Sequence, residues 1–566
     1  MEEEIQFLRF DPLSPVCKHP QGTLRPGGRC SLQVLSPATR VDWELGGVSR
    51  PMEMVGRDGC YRMFRCSLTL PEPGLYWYAF RVEGRRFGPW QITCVPEEYT
   101  MPDWAKGAVI YQIFPDRFAR LGQCDLSEKL GPYLLHDCWQ DEPYQPPPGQ
   151  PVRNHDFFGG NFRGICYRLS HIASLGAEIL YLNPICMAYS NHRYDTADYL
   201  RPDPMLGTPE DFRQLCHQAH RLGMRVILDG VFSHTGADSR YFDRENRFGG
   251  GAYRDPQSPY RSWYRFGEEM GQYECWWGFD TLPVVDKEQE SYLAFVEQQV
   301  LPYWIGLGAD GFRLDVVDEL PDSFLRRFRR RLRELKPDAY LLGECWEDAS
   351  NKVAYGVRRR YFADGTLDGV MNYPLRSSIL AYLRGQDDGQ ALRRTVSTLC
   401  DHYPCLNACM NLLGSHDTPR ILTELGSPAA VMQAAFLQFT LPGCPSIYYG
   451  DEAGLTGGRD PMNRRPYPWG REDPALLAFF RELGRLRKYP ALRSDRVDFF
   501  ASGGGRLGFL RGENMEIYVN LGDTDWTAPA GQVRLGSRVR LVTSRQLILE
   551  PGGFCAQEVE IWKRRF

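Results

Sequence analysis

From Ala108 onward the chain repeats one pattern. A short apolar run, too hydrophobic to be half-exposed, is followed by a longer stretch. The runs are Ala108–Phe114, Ile179–Ile185, Arg225–Phe232, Asp310–Val316, Tyr340–Trp346, Gly369–Leu375, Cys409–Asp417 and Ser446–Glu452. Between most of them lie amphipathic segments such as Pro209–Leu222 and Glu288–Leu307. Strands buried on both faces and separated by helices make parallel βα units. Eight such strands predict an α/β fold, a closed (β/α)8 TIM barrel. A doubly wound open sheet is the structural alternative, but no Gly-rich phosphate loop follows any run.

The 566 residues exceed one ordinary core. Residues 1–98 read as an immunoglobulin-like β-sandwich, because alternating runs such as Cys30–Leu35 and Leu75–Val82 sit between Gly and Pro turns. Residues 99–490 hold the barrel. Within it, His234–Asp286 is rich in Gly, Arg, Tyr and Trp and shows little helical period. Compact domains rarely carry structureless loops that long, so residues 235–286 are read as an inserted subdomain that roofs the site. Residues 491–566, with runs such as Glu516–Asn520 and Val539–Val542, predict a C-terminal β-domain.

Composition excludes several classes. A net charge of -4 leaves no electrostatic footprint for nucleic acid or an anionic membrane. The basic cluster Arg326–Arg333 shares a helical spacing with Phe324, Leu332 and Leu335, and reads as a solvated helix face. No apolar stretch approaches the ~20 residues that cross a bilayer. The start, with Glu2, Glu3 and Glu4, has neither the basic residues nor the apolar run of a secretory signal. The expected location is cytoplasmic, with a trimmed mature form as the alternative. The 17 scattered cysteines then read as reduced thiols. Cys400, His402, Cys405 and Cys409 lie close together, but they lack a C-x-x-C pair and read as structural.

Polar residues gather at the ends of four runs. The third ends Asp229-Gly-Val-Phe-Ser-His234, the fourth Gly311-Phe-Arg-Leu-Asp315, the fifth Leu342-Gly-Glu344 and the seventh Gly414-Ser-His416-Asp417. In a barrel these ends share one rim, where active sites assemble. Such a cup suits acetal cleavage, which needs an acid for the leaving oxygen and a carboxylate for the oxocarbenium-like carbon. Arg313 and Asp315, two apart in a strand, face the same side, and the guanidinium is expected to keep Asp315 ionised as a nucleophile must be. Glu344 has Cys345 and Trp346 beside it and Asp315 across the rim, an apolar and anionic setting that suits a proton donor. The same cup could hold a divalent metal, which leaves a metal-dependent hydrolase or isomerase open.

These four strand ends resemble the conserved regions of the α-amylase superfamily, glycoside hydrolase family 13. The second region's counterpart here runs Gly311-Phe-Arg-Leu-Asp-Val-Val-Asp-Glu319. Further matches are Tyr111–Phe118, His192–Thr196, Tyr448–Glu452 and Asp460–Arg464. Together with an N-terminal β-domain and Pro466-Tyr-Pro-Trp469, they point to the neopullulanase, cyclomaltodextrinase and maltogenic amylase group. The resemblance implies retaining hydrolysis of α-1,4 links in maltodextrins, pullulan, starch or cyclodextrins, with α-1,6 links as a further target and a transglycosylase as the alternative. It implies Asp315 as nucleophile, Glu344 as acid/base and Asp417 as stabiliser of the transition state. Arg313 and Asp229 would orient Asp315. His234, His416 and His192 would bond the sugar and Tyr194 would stack beneath it. Asp460 and Arg464 would grip the next sugar on the non-reducing side, with a loop-fixing ion pair as the plain alternative. The group often forms dimers through its N-terminal domain, so a homodimer is left open.

Three departures stand out. Ser233 replaces an Asn that ligates calcium in many α-amylases. Ala119–Gln123 replaces an Asn- and Asp-bearing calcium loop, and Asn161 stands where an Asp is common. Calcium is therefore expected to be absent or weak and no cofactor is implied. The inserted segment carries Trp276–Asp286 in place of the group's usual motif. Trp276 and Trp277 there read either as stacking surfaces for sugars or as the subdomain's core. A non-catalytic binding protein on the same barrel is disfavoured, since all three carboxylates are present.

Overall fold

The computed structural model describes residues 7–147, 154–269 and 271–560. The acidic start, with Glu2, Glu3 and Glu4, lies outside them. The chain divides into two compact units. The first comprises residues 1–100, 347–368 and 393–406, and the second the remainder.

In the first unit two four-stranded antiparallel sheets share one core. One contains Arg29–Ser36 and Tyr61–Thr69, the other Gly74–Val82 and Arg85–Cys94. Along Arg29–Ser36 the inward positions Cys30, Leu32, Val34 and Ser36 are buried, which is the period of two that the sequence showed. Lys18 is fully buried and places its ammonium 2.6 Å from Asp401. A buried charge needs such a partner, so this pair ties segment 393–406 to the sandwich sheets.

The second unit contains the barrel. Its strands are β1 (Ile110–Ile113), β2 (Ile179–Leu182), β3 (Arg225–Gly230), β4 (Gly311–Leu314), β5 (Tyr340–Gly343), β6 (Gly369–Val370), β7 (Met410–Leu412) and β8 (Cys444–Tyr448). Hydrogen bonding follows the order β6-β5-β4-β3-β2-β1-β8-β7. A parallel bridge between Met371 and Met410 closes the ring. All pairings are parallel. The strands are shorter than the apolar runs because each run continues into the rim, where the chain turns away from the sheet.

The helices explain themselves locally. Pro209–Arg221 starts on a reciprocal cap between Thr208 and Asp211. The stretch after the insertion runs as α-helix Glu290–Phe295, a π-turn Val296–Val300 and α-helix Leu301–Leu307. Pro302 has no N–H to give to the preceding turn, which accounts for the wider turn before it. The insertion itself folds back through isolated bridges, His234 to Val284 and Tyr264 to Val285, over an aromatic cluster that includes Tyr241, Trp263 and Phe295. A six-strand antiparallel assembly from Val497 to Glu558 follows the barrel. Among the described residues no helix is long and apolar enough to cross a membrane.

Candidate active site

Strand register sets the centre of the cup. β3 and β4 pair so that Asp229 and Arg313 are direct neighbours. Arg313 is fully buried, and its Nη1 donates to Asp229 Oδ1 and to Asp315 Oδ1, each at 2.8 Å. Its Nη2 lies 2.9 Å from Glu344 Oε2 but off the axis of a hydrogen bond. One guanidinium therefore serves carboxylates from β3, β4 and the end of β5.

The chain leaves β4 through Val316, whose φ of 39° and ψ of 57° are left-handed. For a β-branched residue this is a genuine outlier. It aims the Val316 N–H at Glu344 Oε2, 2.8 Å away. The other oxygen of Glu344 accepts from Trp346 Nε1 at 3.0 Å. Trp346 is held flat against Tyr373, with centroids 3.9 Å apart and planes 12° apart. The sequence offered Trp346 as an apolar neighbour of Glu344. The structure makes it a polar donor, and Tyr373, its support, carried no local signal because it follows β6.

A second ring of side chains orients the histidines. Gln112 Nε2 and Asn183 Nδ2 both reach His416 Nδ1 at 3.1 Å. Two donors there make Nδ1 an acceptor and put the proton on Nε2. His416 Nε2 then donates to Tyr194 Oη at 2.6 Å, and Tyr194 donates to Asp229 Oδ2 at 2.9 Å. Tyr181 adds a second hydroxyl to that oxygen at 2.6 Å. Tyr181 and Asn183 were missed by the sequence reading. Their signal was alternation along β2, which turns both toward the barrel interior. Burial holds His416 well below the usual histidine range, helped by Arg464 and Arg313. Burial likewise lowers His192, and pushes His234 down to about 4. His234 Nδ1 meets Ser233 Oγ at 2.9 Å and its Nε2 meets the Tyr194 carbonyl at 3.1 Å. His192 Nδ1 accepts from Tyr194 N at 3.1 Å. The cup thus presents three neutral imidazoles, suited to hydroxyls rather than to charge.

One electrostatic expectation needs correcting. Arg313 was expected to hold Asp315 ionised. Burial instead raises Asp315 well above the usual carboxylate range, the guanidinium opposes it, and the charges of Glu344 and Asp229 add to the rise. Burial is the main cause, and Arg313, shared among three carboxylates, does not offset it. Protons in such a cluster belong to the group of carboxylates rather than to one residue.

Asp417 is pushed up to about 7, first by burial and then by Glu344, against Arg464 and Arg313. The 31% of its side chain open to solvent screens this shift. A carboxyl raised on folding costs stability as pH climbs, because the unfolded chain ionises near pH 4 while the folded one holds its proton. The stabilising effect of protonation is complete below pH 4 and is lost as pH rises toward about 7. Asp417→Asn is therefore expected to raise Tm, by little at pH 4 and by roughly 1–3 °C at pH 7. Tm measured for both proteins across that range checks it, and a constant difference would contradict it.

Arg464 occupies the other wall. Its Nη1 lies 3.1 Å from Asp460 and its Nη2 3.7 Å from Asp417. Its Nε donates to the His416 carbonyl at 3.0 Å. Arg464 thus joins Asp460 of its own loop to the wall of the cup. Trp276 and Trp277 are not the insertion's core. Trp277 is 74% exposed, and the Trp276 ring lies 5.2 Å from that of His234. Asn161 caps helix Phe162–Ser174 by accepting from Gly164 N at 2.8 Å, and donates to the Leu121 carbonyl at 3.1 Å.

Residues 112–482 match the model of the α-amylase catalytic domain. An amylopullulanase of Thermoanaerobacterium saccharolyticum is 34% identical over 576 residues, covering 85% of this chain and 44% of the relative. A cyclomaltodextrinase of Geobacillus thermopakistaniensis is 34% identical over 485 residues, covering 80% of this chain and 78% of the relative. The solved type III pullulan hydrolase from Thermococcus kodakarensis superposes with a TM-score of 0.71 at 27% identity, covering 98% of this chain and all of that one. The chain spans less than half the length of the amylopullulanases it matches.

Proposed function

The chain belongs to the α-amylase catalytic-domain family, and on that premise we propose that it is a retaining hydrolase of α-1,4-glucosidic bonds in maltodextrins, pullulan, starch or cyclodextrins. The observation that carries this is the single guanidinium of Arg313 in contact with Asp229, Asp315 and Glu344. Sharing it keeps Asp315 and Glu344 close, and retention needs carboxyls about 5–5.5 Å apart.

Asp315 attacks C1 of the sugar while Glu344 gives its proton to the leaving oxygen. The glycosidic bond breaks as the Asp315–C1 ester bond forms. Glu344, now ionised, takes a proton from water, whose oxygen attacks C1 and releases Asp315. The hydrogen bond from Arg313 opposes the rise that burial imposes on Asp315, whereas its contact with Glu344 is off-axis. A protonated carboxyl still has lone pairs for both donors on Glu344, the Val316 N–H and the Trp346 indole. Asp229 and Arg313 orient the nucleophile. Asp417 and the histidines His192, His234 and His416 bond the sugar hydroxyls, and Tyr194 stacks under the ring. Asp460 and Arg464 hold the next sugar on the non-reducing side.

No metal enters this chemistry. Asn161 and Ser233 are engaged in local hydrogen bonds. The test is hydrolysis of maltohexaose, pullulan and β-cyclodextrin, with the anomer of the first product followed by proton NMR, with and without excess EDTA. An α-anomer and EDTA-independent turnover are expected. A β-anomer would overturn retention, and loss of activity with EDTA would revive the metal reading. Longer or branched products dominating at high maltose concentration would make it a transglycosylase.

A further inference from the structure

The loop after β4 ends in a short 3-10 turn, Val317–Glu319, and a second 3-10 turn in the insertion spans Trp276–Gly278. These two turns meet at one carboxylate. Trp276 Nε1 lies 3.1 Å from both oxygens of Glu319, and Trp277 Nε1 lies 3.2 Å from Oε1. The two indoles are stacked with centroids 5.4 Å apart, and Phe279 extends the array 6.2 Å beyond Trp276. The backbone at Trp277 is left-handed, with φ of 50°. An indole forced into that conformation and left 74% exposed, beside a Phe279 that is 56% exposed, gains little stability for the fold. The arrangement presents apolar ring faces to water and spends its polar atoms on holding them still.

The place of this array is set by the barrel. In the ring order, β3 and β4 stand opposite β7 and β8. Asp460 and Arg464 follow β8, while the tryptophans follow β3 and Glu319 follows β4 four residues after Asp315. The array is continuous with the cup, since the Trp276 ring rests against His234. If the β8 side holds the non-reducing sugars, the tryptophan wall receives those on the leaving side of the cleaved bond.

We infer that Glu319 is a positioning residue whose carboxylate clamps both indoles into a fixed wall for the leaving-group sugars, and that it thereby sets chain-length preference on that side. The inference rests on the hydrolase reading above. Sugar rings of an α-glucan carry C–H faces that match aromatic faces. A wall fixed before binding avoids the cost of ordering two large side chains. A carboxylate is the suitable clamp, because it accepts from two N–H donors through one oxygen and offers a charge-assisted bond to each.

Steady-state kinetics on two substrates test it. Maltohexaose places sugars on the leaving side, whereas α-maltosyl fluoride releases only fluoride. Glu319→Leu is expected to raise KM for maltohexaose by about 10-fold while kcat/KM for the fluoride moves by less than about 3-fold. Glu319→Gln, which keeps an acceptor oxygen, recovers part of the loss. When Trp276→Phe and Trp277→Phe remove both N–H groups but keep the rings, adding Glu319→Leu should change KM by less than about 2-fold, since the rings then offer the carboxylate no N–H to hold. Equal losses on both substrates would assign Glu319 to the reacting carbon or to folding and overturn the inference. An unchanged KM for maltohexaose would do the same. A wild-type protein inert on both substrates would overturn the hydrolase reading, and this inference with it.

Discussion

Asp315→Asn is expected to lower turnover by roughly 10⁴-fold or more while leaving Tm unchanged or slightly raised. The amide oxygen still accepts from Arg313, so the hydrogen bond at 2.8 Å has a successor. What disappears is an oxygen able to form an ester with the sugar. Stability is spared because the substitution removes one negative charge from a cup where Asp229, Asp315 and Glu344 crowd a single guanidinium. Added azide sorts the roles. With an activated α-glycoside, Asp315→Gly should yield the β-glycosyl azide, because azide enters from the face the carboxylate used. Glu344→Gly should yield the α-glycosyl azide, because azide then attacks the ester that Asp315 has already formed. The opposite pair of products would exchange the two assignments, and near-normal turnover in Asp315→Asn would remove Asp315 from the chemistry.

Much of this cup could be read from one strand at a time. Asp229, Arg313, Asp315, Glu344 and Asp417 all sit at the ends of apolar runs, and a parallel barrel brings such ends together whatever the loops do. The strand register then did what spacing alone could not, by placing Asp229 directly beside Arg313. Contacts that join distant segments left no trace in local pattern. Lys18 and Asp401 are 383 positions apart, so nothing near either residue announced the buried pair between them. Trp346 shows a subtler limit. Its position beside Glu344 was evident, but whether its ring or its N–H faced the carboxyl depended on Tyr373, which packs against it from the start of the helix after β6. The same holds for charge. That Arg313 would touch Asp315 followed from alternation, yet the rise of Asp315 comes first from burial and then from the carboxylates that share the arginine, both properties of the closed ring. The insertion was the least legible part, since its fold rests on isolated bridges and aromatic packing rather than on any period.

Arg313→Gln tests that sharing directly, because it leaves three buried carboxylates without their cation. Asp229 is fully buried at its side chain, and Asp315 and Glu344 are nearly so. Removing one partner of a buried ion pair costs about 3–5 kcal/mol, since the remaining charge stays desolvated. A Tm lower by roughly 5–10 °C is expected, together with a loss of turnover of roughly 10³-fold, because the nucleophile loses both its orientation and the positive charge that favours its ionised form. Lysine should not rescue it, as one ammonium cannot reach three carboxylates in the geometry of a planar fork. The second step separates structure from chemistry. Adding Asp229→Asn to Arg313→Gln removes one unpaired charge while keeping an oxygen for the Tyr181 and Tyr194 hydroxyls. This pair of substitutions should recover most of the lost Tm and almost none of the lost turnover. Calorimetry and kinetics on the two single variants and the double variant supply the coupling energy. If Arg313→Gln alone kept its Tm and remained within about 10-fold of normal turnover, the shared guanidinium would not be what holds this cup in its working charge state.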